Sequence, residues 1–528
     1  MSHNWWRTGT IYQIYPRSFQ DSNGDGIGDL EGIRQRLDYF LWLGVDAIWI
    51  SPVYPSPMYD FGYDITDHCG IDPIFGSLEG FDRLLHDAHQ KRLKVILDFV
   101  PNHTSILHPW FKASRSSRTD PKRDWYIWRD PAPDGGPPNN WISNFGGSAW
   151  TFDNGTGQYY YHAYLAEQPD LNWRNPHVRA AMYDVLRFWL RRGVDGVRVD
   201  VMWHLIKDAA FRDNPPNPAW TKREPEIGRL IETHSCDQPE VHDVVREMRK
   251  VIDEFDDRVL IGEIYLPVGK LVAYYGENLM GAHLPFNFQL LSTAWTARDI
   301  AELIGNYEAA LPEGAWPNWV LSNHDRPRIA ARAGAEQAPV AAMLLLTLRG
   351  TPTLYYGDEL AIGHVEIAPD RIQDPWGKRE PGTGAGRDPS RTPMQWDASP
   401  FAGFSQHEPW LPVTSDYKLR NVAVMSKDET SILSLVRNLL HFRRAHRALS
   451  EGSWRLLSRD SNVLAYERRK GDQRIFVILN FTANPQSWYG LFPANARVAI
   501  STHGGRHGES VASAVRLHPN EGLLIESA

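Results

Sequence analysis

A short apolar stretch, Val194–Val199, carries an arginine near its end and an aspartate directly after it. It follows an Arg-Arg-Gly turn at 191–193, and this pattern predicts a buried strand with charged groups at its mouth. The cation at Arg198 favours the ionised form of Asp200, which is the form that a carboxylate nucleophile needs at neutral pH. A structural ion pair at a strand end would explain the same two residues, so the rest of the chain has to decide.

Two further carboxylates, Glu263 and Asp325, also stand at the ends of predicted strands. If these strands belong to one barrel, the three acids share a cleft, because the C-terminal ends of barrel strands meet at one face. Three carboxylates that lie so close together repel one another, so ionising all three costs free energy. We therefore expect one carboxyl to keep its proton at neutral pH while Asp200, beside Arg198, stays charged. An acid that protonates the leaving oxygen and an anion that attacks the anomeric carbon are what a retaining glycosidase requires.

Two histidines accompany these acids: His103 follows the third predicted strand, and His324 precedes Asp325. Lone histidines are more often core residues, but two that flank one cleft favour ring N–H groups that donate to sugar hydroxyls. A metal-binding carboxylate cluster is a competing explanation for the three acids. It is the weaker one, because Arg198 and His324 are poor neighbours for a divalent cation.

Eight short apolar runs supply the strands that would position these residues. Helical patterns lie between most of them, for example at Leu78–Lys91, Val178–Leu190, Val241–Phe255 and Pro339–Leu348. Strands that alternate with helices pair in parallel through right-handed crossovers, and eight such units predict an α/β fold, the (β/α)8 TIM barrel. The runs are Thr10–Tyr15, Val45–Ile50, Leu93–Phe99, Val194–Val199, Val259–Ile264, Gly281–Phe286, Trp319–Ser322 and Pro352–Tyr356.

Loops rich in glycine, proline and aromatic residues divide the predicted barrel. Residues 104–171 are rich in Trp, Pro, Gly and Asn, and no helix is predicted there, so we expect an inserted lid domain after the third strand. The barrel then occupies residues 1–103 and 172–450, with an extended loop at 361–427 after the eighth strand. A helix at Ser431–His446 would close it.

The last part of the chain, residues 451–528, has strand-like runs with turns between them. Such runs predict a small C-terminal antiparallel β domain. The runs are Leu456–Glu467, Ile475–Leu479, Arg497–Ile500 and Gly522–Ile525.

The composition favours a partner that is small and uncharged. The 528-residue chain has a net charge of -8 and no long run of like charges, so it lacks the electrostatic footprint of a protein that binds nucleic acid or an anionic membrane. Its 21 Trp and 21 Tyr residues supply rings with an apolar face and a polar edge, which suit sugar-binding clefts but also a large core.

Cysteine usage and the N-terminus bear on the compartment. Cys69 and Cys236, the only cysteines, are far apart and have neither disulfide-framework nor zinc-motif spacing. The first residues, Met1–Trp6, lack the basic and apolar regions of a secretion signal, and no run of about 18 apolar residues occurs. We therefore expect a cytoplasmic protein with no organic cofactor, and the oligomeric state stays open.

The loop after the first predicted strand carries oxygen donors at alternating positions from Asp21 to Asp29. This spacing is similar to the start of a calcium-binding loop. An EF-hand would need a glutamate at the twelfth position, where this chain has Gly32, so a rigid divalent-ion site is favoured over a calcium sensor. A Gly/Asp-rich turn without an ion is the alternative.

Several motifs occur in a fixed order along the chain: Asp98-Phe-Val-Pro-Asn102-His103, Gln168-Pro-Asp-Leu-Asn172, Gly196-Val-Arg198-Val-Asp200, Gly262-Glu263 and Asn323-His324-Asp325. Together they resemble the alpha-amylase family of glycoside hydrolases, family 13, and the resemblance covers essentially the whole chain. The Gln168–Asn172 stretch and Arg391-Thr-Pro-Met-Gln-Trp396 resemble the alpha-glucosidase and oligo-1,6-glucosidase branch more than the starch-cutting amylases.

The resemblance implies a role for each motif residue. Asp200 would be the nucleophile, Glu263 the general acid/base and Asp325 the carboxylate that stabilises the oxocarbenium-like transition state. Arg198 would orient Asp200. The residues that hold the non-reducing glucose would be Asp60, Tyr63, His103, Tyr164, His324 and Arg391, with Tyr63 stacking on the sugar ring.

Two further expectations follow from the resemblance. Asp60 and Arg391 together would block a longer chain and make the enzyme exo-acting. The ion loop would hold calcium or magnesium on Asp21, Asn23, Asp25, the Ile27 carbonyl and Asp29.

The implied activity is a retaining, exo-acting α-glucosidase that releases the terminal glucose of short α-glucosides, such as maltose-type oligosaccharides or sucrose, or transfers it to a sugar or alcohol. Val201, directly after Asp200, is similar to enzymes that favour α-1,6 links, whereas Thr there would be similar to α-1,4 enzymes. Val197 stands where relatives more often carry Phe.

Alternatives therefore stay open: an oligo-1,6-glucosidase, a sucrose-acting transglucosylase or, remotely, a non-catalytic subunit of a membrane transporter. The chain lacks the Arg-Leu-Asp-Arg-Asp stretch seen in sucrose isomerases, which disfavours that activity. It keeps all three carboxylates and has no predicted membrane anchor, which disfavours the transporter subunit.

Overall fold

A barrel of eight parallel strands forms the centre of the molecule. The computed structural model describes residues 4–459 and 462–527. The barrel strands pair in the order β7-β8-β1-β2-β3-β4-β5-β6, and a parallel bridge between Asn287 and Trp319 joins the two ends of this sheet. This arrangement confirms the predicted fold class. The strands are β1 Ile11–Ile14, β2 Ala47–Ile50, β3 Lys94–Phe99, β4 Gly196–Val199, β5 Val259–Gly262, β6 Leu284–Pro285, β7 Asn318–Val320 and β8 Thr351–Tyr355.

The register of neighbouring strands sets the level of the charged residues. Asp98 in β3 is paired with Arg198 in β4, and Val199 at the end of β4 is paired with Gly262 at the end of β5. Asp200 and Glu263 each follow these last two residues directly. The pairing therefore places both carboxylates at the same height above the barrel.

Helices surround the barrel where the sequence has apolar residues at helical spacing. The helix Pro176–Arg192, which leads into β4, begins with the side chain of Asn175 accepting from the His177 amide and ends at Gly193 with a φ of 109°. The α-helices are Trp5–Thr8, Leu30–Gln35, Leu37–Leu43, Leu78–Gln90, Pro109–Ser116, Pro176–Arg192, Val241–Ile252, Val268–Leu271, Ala297–Ala310, Ile329–Ala333, Ala338–Thr347, Pro375–Arg379, Val422–Met425, Ile432–Ala445 and Arg447–Ser450.

The segment after β3 contains a helix that the sequence reading did not predict. Pro109–Ser116 is α-helical, and the ring of His108 accepts a hydrogen bond from the Trp110 amide at its start. The expectation of no helix in this segment was wrong, because a proline in the first turn of a helix was read as part of an irregular loop. The segment also contains a three-stranded antiparallel sheet. Gln158–Tyr161 is its central strand, and Trp128–Arg129 and Trp150–Asp153 are its edge strands.

The C-terminal part is antiparallel β structure, as predicted. Its five-stranded sheet has the order Ser453–Arg459, Val463–Lys470, Gln473–Asn480, Gly522–Ser527 and Arg497–Ser501. The run Leu456–Glu467, read as one strand, belongs to the first two of these strands instead. A separate pair, Gln486–Tyr489 and Ala514–Leu517, was not predicted.

No helix within residues 4–459 or 462–527 combines the length and the apolar character needed to cross a bilayer.

Candidate active site

A pocket opens at the C-terminal ends of the barrel strands, where the fold gathers most of the predicted site residues. Asp200, Glu263 and Asp325 come from the ends of β4, β5 and β7, and Tyr63, His103 and Tyr164 come from the loops after β2 and β3. The predicted residues that line it are Asp60, Tyr63, His103, Tyr164, Asp200, Glu263 and Asp325. Arg198, His324 and Arg391 are fully buried behind this lining and contact it from below.

Arg198 connects three carboxylates. One terminal nitrogen, Nη1, lies 2.7 Å from Asp98 Oδ1 and 2.8 Å from Asp200 Oδ1, while Nη2 lies 2.6 Å from Glu263 Oε2. The guanidinium is completely buried, so these contacts are little screened by water. Arg198 therefore fixes the relative positions of Asp200 and Glu263 and does more than orient Asp200.

The protonation of this pair differs from the expectation at the sequence level. Burial raises the pKa of Asp200 well above its ordinary value, with further raising from the negative charge of Glu263, against the lowering effect of Arg198. Burial also raises the pKa of Glu263, although Arg198 and a hydrogen bond with Asp200 lower it. We expect Arg198 to favour the charged form of Asp200, but the pKa of Asp200 is raised in spite of it, because burial dominates and the same arginine pairs with both carboxylates.

Asp325 is the acid of the site that stays ionised. Burial opposes its ionisation, but the guanidinium groups of Arg387 and Arg391 hold the pKa of Asp325 below its ordinary value. Its Oδ1 lies 3.1 Å from Arg391 Nη2 and 3.3 Å from Arg387 Nη1. Positive charge on two sides thus keeps Asp325 an anion at neutral pH.

His324 and Tyr63 form a hydrogen-bonded chain that ends at Asp98. Burial lowers the pKa of His324 to about 3, so its ring is neutral. Gln13 Nε2 donates to its Nδ1 at 2.8 Å, which leaves the proton on Nε2, 2.6 Å from the Tyr63 hydroxyl. The Tyr63 hydroxyl in turn donates to Asp98 Oδ2 at 3.2 Å. His324 therefore acts on the pocket through Tyr63, whose ring stacks on it.

A buried ion pair closes one end of the pocket, and it involves a different arginine from the one expected. Asp60 Oδ1 lies 2.6 Å from Arg387 Nη2, and the same guanidinium lies 2.6 Å from Asp374. Arg391 instead donates to the His324 carbonyl at 2.9 Å and does not line the pocket. From the sequence we expect Asp60 and Arg391 together to block a longer chain, whereas the ion pair of Asp60 at this end of the pocket is with Arg387. Residues 387 and 391 lie in the same loop, and sequence spacing does not determine which of their side chains reaches Asp60.

Val201 occupies a backbone conformation that is unusual for a β-branched residue. Its φ of 39° lies in the left-handed region, where a branched side chain is strained. This conformation aims the Val201 amide at Glu263 Oε2, which accepts its hydrogen bond at 2.8 Å. The residue after the predicted nucleophile thus holds the predicted acid/base.

The Gln168–Asn172 motif anchors the segment after β3 to the site. Gln168 Nε2 lies 3.2 Å from Asp60 Oδ2 and 3.1 Å from His103 Nε2, so one amide connects two pocket residues. Burial lowers the pKa of His103 to about 4, which keeps this ring neutral as well. Two residues further on, the buried Asp170 pairs with the buried Lys207. The motif therefore fixes the wall of the pocket that the segment supplies.

Several lining residues were missed by the sequence reading. Trp203 and Tyr265 each stand a few residues after a predicted catalytic acid, and that proximity was an unused signal. Arg387 lies four residues before Arg391 in the same loop. The others come from loops with no local pattern; the missed residues are Asn144, Phe145, Trp203, Ile227, Glu232, Tyr265, Arg326, Trp376 and Arg387.

The predicted ion loop is closed by its own hydrogen bonds. Asp21 accepts from the amides of Asn23, Gly24 and Gly26 and from the Ser405 hydroxyl, the last at 2.6 Å. Asp25 accepts from the Ile27 amide, and Asp29 accepts from the Ser22 and Gly32 amides.

The donor atoms of this loop are all oxygen, which suits calcium or magnesium. Within residues 4–459 and 462–527, however, Asp21, Asp25 and Asp29 do not bring ligand atoms within 4.8 Å of one another. A bound ion would have to displace some of the amide contacts.

An eight-stranded α/β barrel with two adjoining carboxyls, a separate carboxylate and an ion pair that closes one end of the pocket defines a barrel enzyme of the glycoside hydrolase class. The family model for the alpha-amylase catalytic domain matches residues 13–452, so the chain belongs to the alpha-amylase family.

Curated relatives are similar along nearly the whole chain. A probable alpha-glucosidase of Rhizobium meliloti (strain 1021) is 43% identical over 495 residues, covering 91% of this chain and 90% of the relative. An oligo-1,6-glucosidase of Heyndrickxia coagulans is 37% identical, and the match covers 92% of this chain and 93% of the relative. The human amino acid transporter heavy chain SLC3A1 is 38% identical, and the match covers 99% of this chain and 78% of the relative.

Solved structures of similar proteins have the same fold. The alpha-glucosyl transfer enzyme XgtA superimposes with a TM-score of 0.93 at 40% identity, covering 99% of both chains. A mutant of MutB in complex with the substrate sucrose superimposes with a TM-score of 0.89 at 35% identity, also covering 99% of both chains.

Proposed function

We propose that this protein is a retaining, exo-acting α-glucosidase that releases or transfers the terminal glucose of short α-glucosides, such as maltose-type oligosaccharides and sucrose. The observation that carries the proposal is that one buried guanidinium holds both acids: Arg198 Nη1 lies 2.8 Å from Asp200 Oδ1 and Arg198 Nη2 lies 2.6 Å from Glu263 Oε2. Retaining enzymes hold their two carboxyls at about 5 Å, whereas inverting enzymes leave room for a water molecule between them. The relatives named above support the substrate class.

The hydrogen bonds of the two acids assign a role to each oxygen. In the reactive form the one proton that the two acids share lies on Glu263, which leaves Asp200 an anion. Asp200 Oδ1 is engaged by Arg198, so Oδ2 is the oxygen that attacks the anomeric carbon as the glycosidic bond breaks. Glu263 Oε2 is engaged by Arg198 and the Val201 amide, so Oε1 carries the proton that passes to the leaving oxygen. In the second step Glu263 takes a proton from water or an acceptor hydroxyl, whose oxygen displaces Asp200 from the sugar.

The other pocket residues bind and position the sugar. Asp325, an anion held by Arg387 and Arg391, accepts sugar hydroxyls and stabilises the positive charge that develops on the ring. The Asp60–Arg387 ion pair closes the pocket beyond the terminal glucose, which explains the exo-acting mode. Tyr63, held by His324, offers its ring to the sugar face.

The stereochemical outcome tests the proposal directly. Time-resolved NMR of p-nitrophenyl α-glucoside hydrolysis should show α-glucose as the first product. Initial β-glucose would overturn the retaining assignment.

The nucleophile has its own test. Asp200→Ala should lose about 10⁴-fold or more in kcat, as other knockouts of covalent catalysis do. Its circular dichroism should match the wild-type protein. Wild-type turnover in this variant would refute the role of Asp200.

A second candidate is an oligo-1,6-glucosidase, and Val201 favours it. Its side chain lines the pocket directly beside the two acids. Parallel assays of maltose, isomaltose, sucrose and trehalose would rank the linkages, and a preference for sucrose with transfer products would favour the transglucosylase alternative. Val201→Thr should raise the ratio of maltose to isomaltose activity. An unchanged ratio would remove Val201 as a linkage determinant.

The transporter-subunit alternative has a human relative among the similar proteins. It predicts no hydrolysis, so release of nitrophenol from a chromogenic α-glucoside by the wild-type protein and not by Asp200→Ala would exclude it.

We also propose one structural calcium or magnesium ion in the loop of Asp21, Asn23, Asp25, Ile27 and Asp29, and a cytoplasmic location. Two observations support these proposals: the donors of the loop are all oxygen, and Cys69 and Cys236 are both free thiols. The ion would rigidify the loop without taking part in the reaction. Fractionation of the native cells would test the location.

A further inference from the structure

A cluster of three side chains of different chemistry lies in the wall of the pocket, apart from the catalytic acids. His204, Glu232 and Cys236 bring one ligand atom each to within 4.8 Å of one another. Among residues 4–459 and 462–527, no other group of three or more His, Cys, Asp or Glu side chains meets this condition. Neither the glycosidase mechanism nor the sugar contacts use it.

The imidazole of His204 has no hydrogen-bond partner in the part of the chain that the structure describes. The residue is completely buried, and neither Nδ1 nor Nε2 makes a hydrogen bond to any described residue. Buried polar atoms are normally paired, so an unpaired ring calls for an explanation. A buried imidazole stays neutral, which is the form whose lone pair binds metal ions.

The other two ligands come from a loop that is tied to His204 by its backbone. The Asp237 amide donates to the Trp203 carbonyl at 2.7 Å, and the Asp208 amide donates to the His234 carbonyl at 2.8 Å. Cys236 is buried, and its thiol makes only a long contact of 3.5 Å to the Glu232 carbonyl among the described residues. The cluster is therefore held together before any ligand arrives.

The donor set selects the kind of ion. One nitrogen, one sulfur and one carboxylate oxygen suit zinc, whereas calcium and magnesium require oxygen alone. A thiolate and a carboxylate together cancel the two positive charges of the ion, so burying the complex leaves no net charge. Glu232 lines the pocket and is only partly buried, so an ion can reach the cluster from the pocket. A water molecule from the pocket can then occupy the fourth coordination position of the ion.

We propose that His204, Glu232 and Cys236 form a zinc-binding site in the wall of the sugar pocket. The ion exchanges water ligands for His204 nitrogen, Glu232 oxygen and Cys236 sulfur, and the thiol proton passes to solvent as the Zn–S bond forms. His204 lies 6.0 Å from Tyr164, ring to ring, and 4.7 Å from Trp203. A zinc ion there occupies the side of the pocket where these aromatic residues meet the substrate, and it inhibits the enzyme.

The test uses zinc and cobalt alone as probes on the full-length protein. Calcium is kept in excess so that the oxygen loop does not compete. Equilibrium dialysis should show one zinc ion per chain, and cobalt should give a thiolate-to-cobalt absorption band in the near ultraviolet. Cys236→Ser should lose that band and bind zinc at least 10-fold more weakly.

Cys69→Ser is the matched control, because Cys69 is the other free thiol and lies outside the cluster. It should keep the stoichiometry, the band and the inhibition by zinc.

A second variant covers the possibility that Cys236→Ser does not fold, which circular dichroism would reveal. Glu232→Gln should weaken zinc binding but keep the thiolate band, since the sulfur ligand remains. Wild-type protein that binds no zinc, a band that survives in Cys236→Ser, or equal zinc affinity in folded Cys236→Ser and wild-type protein would overturn the proposal.

Discussion

At the scale of single residues, the site concentrates charge around one buried guanidinium. Arg198 pairs with Asp98, Asp200 and Glu263, so a single cation offsets three acids. Burial is the main reason that the pKa values of Asp200 and Glu263 are raised, and the negative charge of Glu263 adds to the shift of Asp200. A raised pKa helps an acid catalyst to keep its proton, but it lowers the stability of the folded protein as pH rises.

The pH dependence of stability follows from this raised pKa. The pKa of Glu263 is raised above its ordinary value of 4.5 in the folded protein. At a pH between these two pKa values, the folded protein holds this proton more than the unfolded chain does. The contribution of Glu263 to stability is therefore lost as pH rises through this range. Glu263→Gln has no such group, so the melting temperature of the variant should rise relative to the wild-type value as pH increases above about 4.5. Thermal melts across this range would measure the gain.

The control for that experiment is Glu302→Gln, at an exposed position on the helix Ala297–Ala310. Its melting profile should follow that of the wild-type protein. If the melting temperature of Glu263→Gln instead falls relative to that of the wild-type protein as pH rises, the assignment of a raised pKa to Glu263 is contradicted.

Arg387 is predicted to control how tightly the terminal sugar is held. Its guanidinium contacts Asp60, Asp374 and Asp325, and a lysine, as a single point charge, cannot bridge all three. Arg387→Lys should therefore raise KM for maltose or isomaltose, whichever is the better substrate, by about 10-fold or more. Steady-state kinetics would measure the change.

A matched variant on the same loop is Arg371→Lys, because Arg371 makes an exposed ion pair with Glu408. Its KM should stay near the wild-type value. Equal effects of the two lysine variants on KM would show that Arg387 does not act through the sugar.

At the scale of secondary-structure elements, one helix joins the barrel to the C-terminal sheet. Residues of Ala338–Thr347 pack in a core that includes Leu464 and Val477 from that sheet. The C-terminal end of the helix is capped from two directions. Arg443 donates to the Leu346 carbonyl at 3.0 Å, and Arg468 donates to the Thr347 carbonyl at 2.6 Å. Buried cations there satisfy carbonyls that have no partner within the helix.

Loss of this second cap should loosen the junction. Arg468 is completely buried, and it also donates to the Gly452 carbonyl at 3.0 Å, so Arg468→Ala leaves buried carbonyls unpaired. We expect a loss of about 3 kcal/mol in the free energy of unfolding, measured by urea denaturation. Arg469→Ala, at the exposed neighbouring position, should change it by less than about 0.5 kcal/mol. Similar losses in both variants would contradict a capping role.

At the scale of the whole molecule, the proposed ion loop joins the two ends of the barrel sequence. Asp21, after β1, accepts from Ser405 in the segment that follows β8, and the Trp410 amide donates to the Gly26 carbonyl at 3.1 Å. Gly26 has a φ of 85°, and a Cβ there would lie 2.4 Å from the Glu408 carbonyl oxygen, so only glycine fits this contact. The same segment carries Arg387 and Arg391, so the loop supports the pocket from outside.

Removal of divalent ions should therefore act on stability before it acts on chemistry. If the loop holds calcium or magnesium, EDTA should lower the melting temperature by several degrees, and added calcium should restore it by mass action. The kcat measured well below the melting temperature should change little, because the ion does not touch the substrate. A melting temperature that is insensitive to EDTA in both wild-type protein and Asp25→Asn would reject the ion.

The barrel and the placement of three acids at the ends of its strands could be predicted from the amino-acid sequence alone. Apolar runs that alternate with helical patterns require a parallel sheet, and residues directly after such strands must emerge at one face, because backbone geometry over one or two residues fixes their direction. The C-terminal β part followed from the same periodicity. The helix Pro109–Ser116 was missed because its start signal lies in a proline-rich loop.

The contacts between loops depend on how the folded chain packs. In the structure Arg198 contacts both Asp200 and Glu263, Arg387 rather than Arg391 pairs with Asp60, and His204 lies beside Cys236. Apart from Arg198 and Asp200, which are near neighbours at the end of β4, these pairs are far apart in the chain. The directions of their side chains depend on the packing of the entire loop against its neighbours, and no local spacing in the sequence encodes that packing.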